Sequence, residues 1–332
     1  LFIFLQILKI DKQIFAFKNI TLSIMTINYQ NLPDLPLEAW EESKMTLHLY
    51  LQIVGKIRLK LTPRKNHWWY ITLYVSSKGL TTHSIPYERG VFEITFNFLK
   101  HQLEMGSSEG KEVIIALHDG LSVAEFYRQV QDGLEQLGIQ VSIVDRPFDM
   151  PVKEPFGQLT EQKAYNAEYI ERFWRLLIWV DDVFKEFSGR FYGKTCPVHL
   201  YWHHMDLAVT RFSGEEGPDL DPNMRLSDKD AYSHEVISFG FWAGDDTVRE
   251  PAFYSYTYPS PDGLDQQPLQ PASAQWVDSN GSPQAFLTYE ALRKEENPRQ
   301  ALLDFMESAY QAGAKLAGWD VEKLTVPPLE DL

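Results

Sequence analysis

Asp206-Leu207-Ala208-Val209-Thr210-Arg211-Phe212 and, beyond a long unpatterned loop, Tyr232-Ser233-His234-Glu235-Val236-Ile237-Ser238-Phe239-Gly240-Phe241-Trp242 are the stretches on which the fold turns. Both are rich in β-branched and aromatic residues and read as strands. Joined through the loop 213–231, they are expected to pair antiparallel, with Arg211 near residue 233. In an antiparallel meander alternate loops share one end of the sheet. Loops 213–231 and 259–271 should then lie together, gathering Arg211, His234, Glu235 and Tyr258 at one rim.

The pattern extends in both directions. Before these strands, an apolar stripe of Tyr169, Phe173, Leu176, Leu177, Val180 and Phe184 predicts a helix over 168–187, closed by Ser188-Gly189. Further strands are expected near 198–204, 252–258, 272–278 and 284–289. A last helix runs from Pro298 to Leu316, with proline in its first turn and Gly318 just past its end.

The first half reads in a similar order. A helix over 37–54 carries Trp40, Leu47, Leu51 and Val54 near one face, and Gly55 is expected to end it. Lys56 to Thr62 alternates strictly, which predicts a half-buried strand with three bases outward. Pro63 to Asn66 then turns the chain, and strands are expected over 67–76, 80–85, 91–98, 100–105 and 111–117. Ser122, with Glu125 three residues on, has the spacing of a capping box for a helix ending at Leu137-Gly138. A short strand over 139–144 is expected next. Pro147, Pro151 and Pro155 space out a connector, 147–167, between an N-terminal half, 25–146, and a C-terminal half, 168–332. Each half reads helix, antiparallel strands, helix, so the class is α+β. Gly55-Lys56 beside Gly189-Arg190, and Leu73-Tyr74-Val75 beside Leu207-Ala208-Val209, raise a duplication.

The chain has 332 residues and a net charge of −15. Residues 1–160 balance to −1 and residues 161–332 to −14. An apolar share of 44% excludes a disordered chain. The acidity disfavours nucleic acid as a partner. One cysteine, Cys196, allows neither an internal disulfide nor a cysteine-based zinc site; it fits packing in a reducing compartment. Segment 1–24 begins with Leu1, and Lys9, Asp11, Lys12 and Lys18 interrupt its apolar run. Its uncharged opening, 1–8, is far short of the roughly 20 residues that span a bilayer. It is expected to be upstream sequence before a natural start at Met25, and the protein is expected to be cytoplasmic, with no membrane partner.

No phosphate-binding glycine loop and no G-x-S-x-G elbow is present. His234-Glu235 is not a zinc-protease motif, because residue 238 is serine. Asp219, Asp221, Asn223 and Asp230 partly match a calcium loop, but Pro222 and Met224 break it. Lys56, Arg58, Lys60, Arg64 and Lys65 form the one cationic cluster, close to Trp68 and Trp69; beside a solvated face, it suits one small anion better than a polymer. His199, His203, His204 and Asp206 fall within eight residues. His199, His204 and Asp206 offer metal-ligand chemistry. A triad with His234 is opposed by strand geometry, which puts it about 20 Å away.

Several segments carry a family resemblance: Leu35-Pro36-Leu37-Glu38-Ala39-Trp40, Gln52-Ile53-Val54-Gly55-Lys56, Asn66-His67-Trp68-Trp69, Gly79-Leu80-Thr81-Thr82, Asp206 through Gly214, Tyr232 through Val236, and Pro251-Ala252-Phe253-Tyr254. From about Leu32 to Trp319 the chain resembles a bacterial domain-of-unknown-function family, number 5996. The resemblance implies no activity or cofactor. His67, His199, Asp206, Arg211, His234 and Glu235 match its pattern, whereas the places of His203 and His204 are commonly small residues there.

These readings lead to a site for a small anionic molecule. Arg211 would hold the anion, His234 would act as acid or base, and Glu235 would assist it. Asp206, His67, Trp69 and Tyr258 are further ligand-binding candidates, under a lid formed by the long loop. Two other expectations stand beside it. One is a protein-interaction module using a Tyr254–Tyr256–Tyr258 face, and the other is an iron or zinc enzyme built on the His199–Asp206 stretch. The residues assign no cofactor, reaction or oligomeric state.

Overall fold

The computed structural model describes residues 32–279 and 281–327. Segment 1–24 lies outside the described residues. From Pro33 onward the described chain is one compact unit. Its elements are α1 (Glu41–Leu61), β1 (Tyr74–Val75), β2 (Gly79–Thr81), β3 (Ile85–Tyr87), β4 (Gly90–Asn97), β5 (Gln102–Ser107), β6 (Glu112–Ala116) and α2 (Val123–Leu137) in the first part. Then come α3 (Ala167–Gly189), β7 (His199–Tyr201), β8 (Asp206–Glu216), α4 (Leu226–Ala231), β9 (His234–Trp242), β10 (Ala252–Tyr258), β11 (Gln275–Ser279), β12 (Ser282–Thr288), α5 (Tyr289–Leu292) and α6 (Pro298–Leu316).

The class is α+β with two antiparallel sheets. The first runs β1-β2-β4-β5-β6, with β3 also on β4; the second runs β11-β12-β10-β9-β8-β7. Their edges join where Leu73 and Leu200 exchange backbone hydrogen bonds of 2.9 and 2.8 Å. Helices α1 and α2 cover one face of the first sheet, where Tyr50 stacks on Phe126 at 3.9 Å. Helices α3 and α6 cover one face of the second, where Phe187 meets Phe239 at 4.7 Å. Strand alternation leaves the other face of each sheet free of these helices.

Local signals set the helix ends. The Ser122 hydroxyl accepts from Glu125 N at 3.2 Å, opening α2. Gly138, at φ 75°, closes it, and Ile139 N bonds back to Leu134 O. This is a Schellman ending, in which Ile139 is the apolar residue that folds back. The strand expected over 139–144 is therefore absent. Asn166 and Asn297 cap α3 and α6 in the same way.

The largest correction falls on 56–62. Gly55 does not end the first helix; α1 continues to Leu61, and no strand forms there. A Cβ on Gly55 would lie 2.2 Å from the Trp202 ring, so this glycine serves a close approach rather than a stop. Lys56 and Arg58, expected to face solvent, are buried, and their cationic heads lie 5.7 and 5.6 Å from the ring centroids of Trp202 and Tyr74. The strand expected over 67–76 shrinks to Tyr74–Val75, because His67 and Trp68 take left-handed φ values of 55° and 60°. The loop 213–231 is shorter than expected at both ends, since β8 runs on to Glu216 and α4 occupies 226–231.

Candidate functional site

The open face of the second sheet forms the floor of a cavity of about 510 Å³. The register fixes which residues meet there. Thr210 lies opposite Ser238, which lies opposite Tyr256; Ala208 lies opposite Gly240, which lies opposite Tyr254. Asp206, Ala208, Thr210, Ser238, Tyr254 and Tyr256 all line the cavity. Ala208 leaves the floor low beside Asp206, whereas the Tyr254 ring lies directly over Gly240 and fills the space there.

The walls come from distant parts of the sequence. The turn Asn66–Trp68 supplies His67 and Trp68, with Trp69 next to it. It is tied to α4 by Trp68 Nε1 donating to Ser227 O at 2.8 Å and by His67 Nδ1 bonding Asp230 O at 3.1 Å. Two successive non-glycine residues in the left-handed region are costly. Here the strain aims an imidazole and an indole at the same helix. Phe148 closes another side, held by Gln52, which exchanges hydrogen bonds of 2.7 and 2.9 Å with its backbone. Trp202, His203 and His204 line the far end, and α1 contributes Lys56.

Ionisable groups here carry clear electrostatic signatures. Burial raises the pKa of Asp206, while Tyr254 donates to its Oδ2 at 2.6 Å. Asp206 Oδ1 is buried without a partner. Burial also lowers the pKa of Lys56. Burial, then the nearby Lys194, lowers the pKa of His67. Its Nδ1 proton goes to Asp230 O, and Nε2 receives Lys194 Nζ at 2.6 Å.

A profile built for a family of unknown function, DUF5996, matches residues 32–326. The chain belongs to DUF5996. No curated protein and no solved structure shows significant similarity to it. Among the described residues of this DUF5996 chain, no helix is long and apolar enough to cross a membrane.

The residues singled out from the sequence fall into separate groups in the DUF5996 structure. His67, Trp69, Asp206 and His204 line the cavity. Strands β8 and β9 do pair antiparallel, but Arg211 sits opposite Ile237, four positions from the expected place, in an unbroken register from Leu207 to Phe212; the irregularity between Phe212 and Glu216 lies on its loop side. Alternation then turns Arg211 away from the cavity. It is 2% exposed under α3 and α6, 3.6 Å from the Phe187 ring centroid and donating to Phe187 O at 2.6 Å. Burial lowers its pKa to about 10. Glu235 also faces the helices, where it accepts from Trp319 Nε1 at 3.1 Å. His234 stays on the cavity side, its ring edge-on to His67 at 5.3 Å, and Tyr258 packs on Tyr232 at 4.7 Å. The expected gathering of Arg211, His234, Glu235 and Tyr258 at one rim is therefore not built. Adjacent strand residues cannot share a face, so His234 and Glu235 do not form an acid–base pair.

His199 lies apart from His204 and Asp206. It is 0% exposed among the Tyr74 and Tyr201 rings, and both ring nitrogens lack a partner. Burial, reinforced by Arg58 and Lys65, depresses its pKa to about 3. An unfolded histidine titrates near 6.5, at about 1.4 kcal/mol per pH unit. Its stability contribution is therefore complete above about pH 6.5 and is lost as pH falls toward the folded value. Urea unfolding at pH 7 and pH 5 is expected to show a smaller acid loss in His199→Leu than in the parent. Equal losses would remove His199 as the cause.

The sequence reading missed Trp202 and Ser238, and it placed Lys56 on a solvated face instead of in the cavity wall. One usable signal was present: Ala208 and Gly240 are small residues at even positions of two neighbouring strands, and the first opens the cavity floor while the second admits the Tyr254 ring.

Proposed function

We propose that this protein binds a small organic anion with a flat, aromatic or apolar body in the cavity over the second sheet. The observation that carries the reading is Lys56. Its side chain lines the cavity, the residue is 7% exposed, and among the described residues it makes no ion pair. A buried ammonium without a counter-charge is costly. An anion entering the cavity offsets that cost and restores the protonated form that burial disfavours. The volume falls within the roughly 300–1,000 Å³ common to small-molecule sites. Trp68, Trp69, Trp202 and Tyr256 supply ring surfaces, and the Asp206–Tyr254 pair supplies a polar anchor.

The interaction-module reading loses its basis, because Tyr254 and Tyr256 lie in the cavity floor rather than on an open surface. Cys196 is a free, buried thiol with a pKa pushed up to about 11, which fits a reducing compartment. A bacterial cytoplasmic location, with no nucleic-acid partner, belongs to the same proposal.

Anilinonaphthalene sulfonate, an aromatic anion, tests the reading. It is expected to bind the folded chain saturably and one-to-one, to quench tryptophan emission, and to be displaced by aromatic carboxylates. Absence of saturable binding, or binding that no aromatic carboxylate displaces, contradicts it.

A further inference from the structure

We propose that His203, His204 and Asp206 form a site for a divalent transition-metal ion at the far end of the cavity. Each of the three offers one ligand atom, and these atoms all lie within 4.8 Å of one another. In an extended strand His203 and His204 would point to opposite faces. Here they lie in the tight connection between β7 and β8, where Met205 has a φ of 60° and its N–H bonds Tyr201 O at 2.8 Å. This turn brings two consecutive imidazoles and the first carboxylate of β8 to one side. The two imidazole rings stack at 4.5 Å.

A second observation is independent of that spacing. Asp206 Oδ1 and His203 Nδ1 are buried polar atoms with no hydrogen-bond partner. Such atoms are costly to leave alone, and a cation satisfies both kinds. The surrounding contacts are those of an outer shell. Tyr254 occupies Asp206 Oδ2 at 2.6 Å, which leaves Oδ1 free. Asp149 Oδ2 lies 3.3 Å from His204 Nε2, where it orients the ring.

Two imidazoles and one carboxylate suit zinc, cobalt, nickel or ferrous ions rather than calcium or magnesium, which prefer oxygen donors. Bonds of about 2.0–2.2 Å in a tetrahedral site place ligand atoms roughly 3.4 Å apart. The group therefore closes by at most about 1.4 Å, and His204, with its side chain 57% exposed, is the ligand on the solvent side. Three protein ligands leave at least one position open toward the cavity.

The inference goes beyond the anion-binding reading: an organic anion on Lys56 needs no metal ion, and an ion binds here with no organic ligand present.

The test uses the untagged full chain, stripped with a chelator and titrated with Co²⁺ alone. One equivalent is expected to produce visible d–d absorption, and Zn²⁺ is expected to abolish it. Asp206→Asn and His204→Gln should each weaken Co²⁺ binding by about 100-fold or more, and Tyr254→Phe by about tenfold. His204 is exposed, so His204→Gln keeps the fold and decides the matter even where Asp206→Asn does not fold. No d–d absorption from the stripped chain, or undiminished binding in His204→Gln, would overturn the proposal.

Discussion

Gly55→Ala is expected to destabilise the protein by about 2–3 kcal/mol, against the usual sign for a glycine within a helix. Alanine is the better helix former by roughly 1 kcal/mol, so an unobstructed site would gain stability. Here the new methyl would lie 2.2 Å from the Trp202 ring, and overpacking of this kind costs about 1–3 kcal/mol or more. Trp202 is not free to retreat. It is 3% exposed, and its Nε1 donates to Ile71 O at 2.9 Å. The measurement is the urea midpoint at constant slope. In a Trp202→Ala background the obstruction is gone, and Gly55→Ala should become neutral or stabilising. A stabilising Gly55→Ala in the parent chain would mean that the helix does not pack against Trp202 as described.

Arg211→Ala should cost about 3–5 kcal/mol of stability, the scale of truncating a large side chain in a packed core. The guanidinium fills the space between Phe187, at 3.6 Å, and Tyr310, at 4.3 Å, and it satisfies the Phe187 carbonyl. Its Nη1 stands 4.0 Å from Glu307 Oε2. Alanine leaves a void among rings and removes one of two hydrogen bonds to the Phe187 carbonyl, which keeps that from Arg190 N at 3.2 Å. Methionine refills much of the volume, so Arg211→Met should cost markedly less, about 1–2 kcal/mol. Equal losses for the two variants would assign the effect to charge rather than to packing.

These two residues also show how far the sequence could be read. The pairing of β8 with β9, the α2 cap at Ser122 and the α6 start at Pro298 were legible, because each depends on short-range chemistry. The alternation over 56–62 was misleading. Gly55 there is explained by a tryptophan some 150 positions away that packs on it, a contact no local pattern records. Arg211 was correctly singled out as an unusual residue within a strand. Its direction followed from alternation along β8, which puts it on the face opposite Thr210 and Phe212; the four-position difference in register, being even, leaves that face unchanged. His67, Trp69 and Asp206 were named as candidates from their chemistry together with the family resemblance, and the fold brings them to one cavity. Lys56 was placed in a cationic cluster, but its burial became visible only once α1 was continuous.

The account rests on the anion sitting over the open face of the second sheet, beside Lys56, and not on the helix-covered face beside Arg211. Titration of anilinonaphthalene sulfonate into folded Lys56→Met and Arg211→Met tests this most directly. A charge-assisted contact is worth about 1.5–3 kcal/mol, so Lys56→Met should weaken binding at least about tenfold. Arg211→Met should leave the dissociation constant within about twofold of the parent. Weakened binding in Arg211→Met together with parental binding in Lys56→Met would contradict the account.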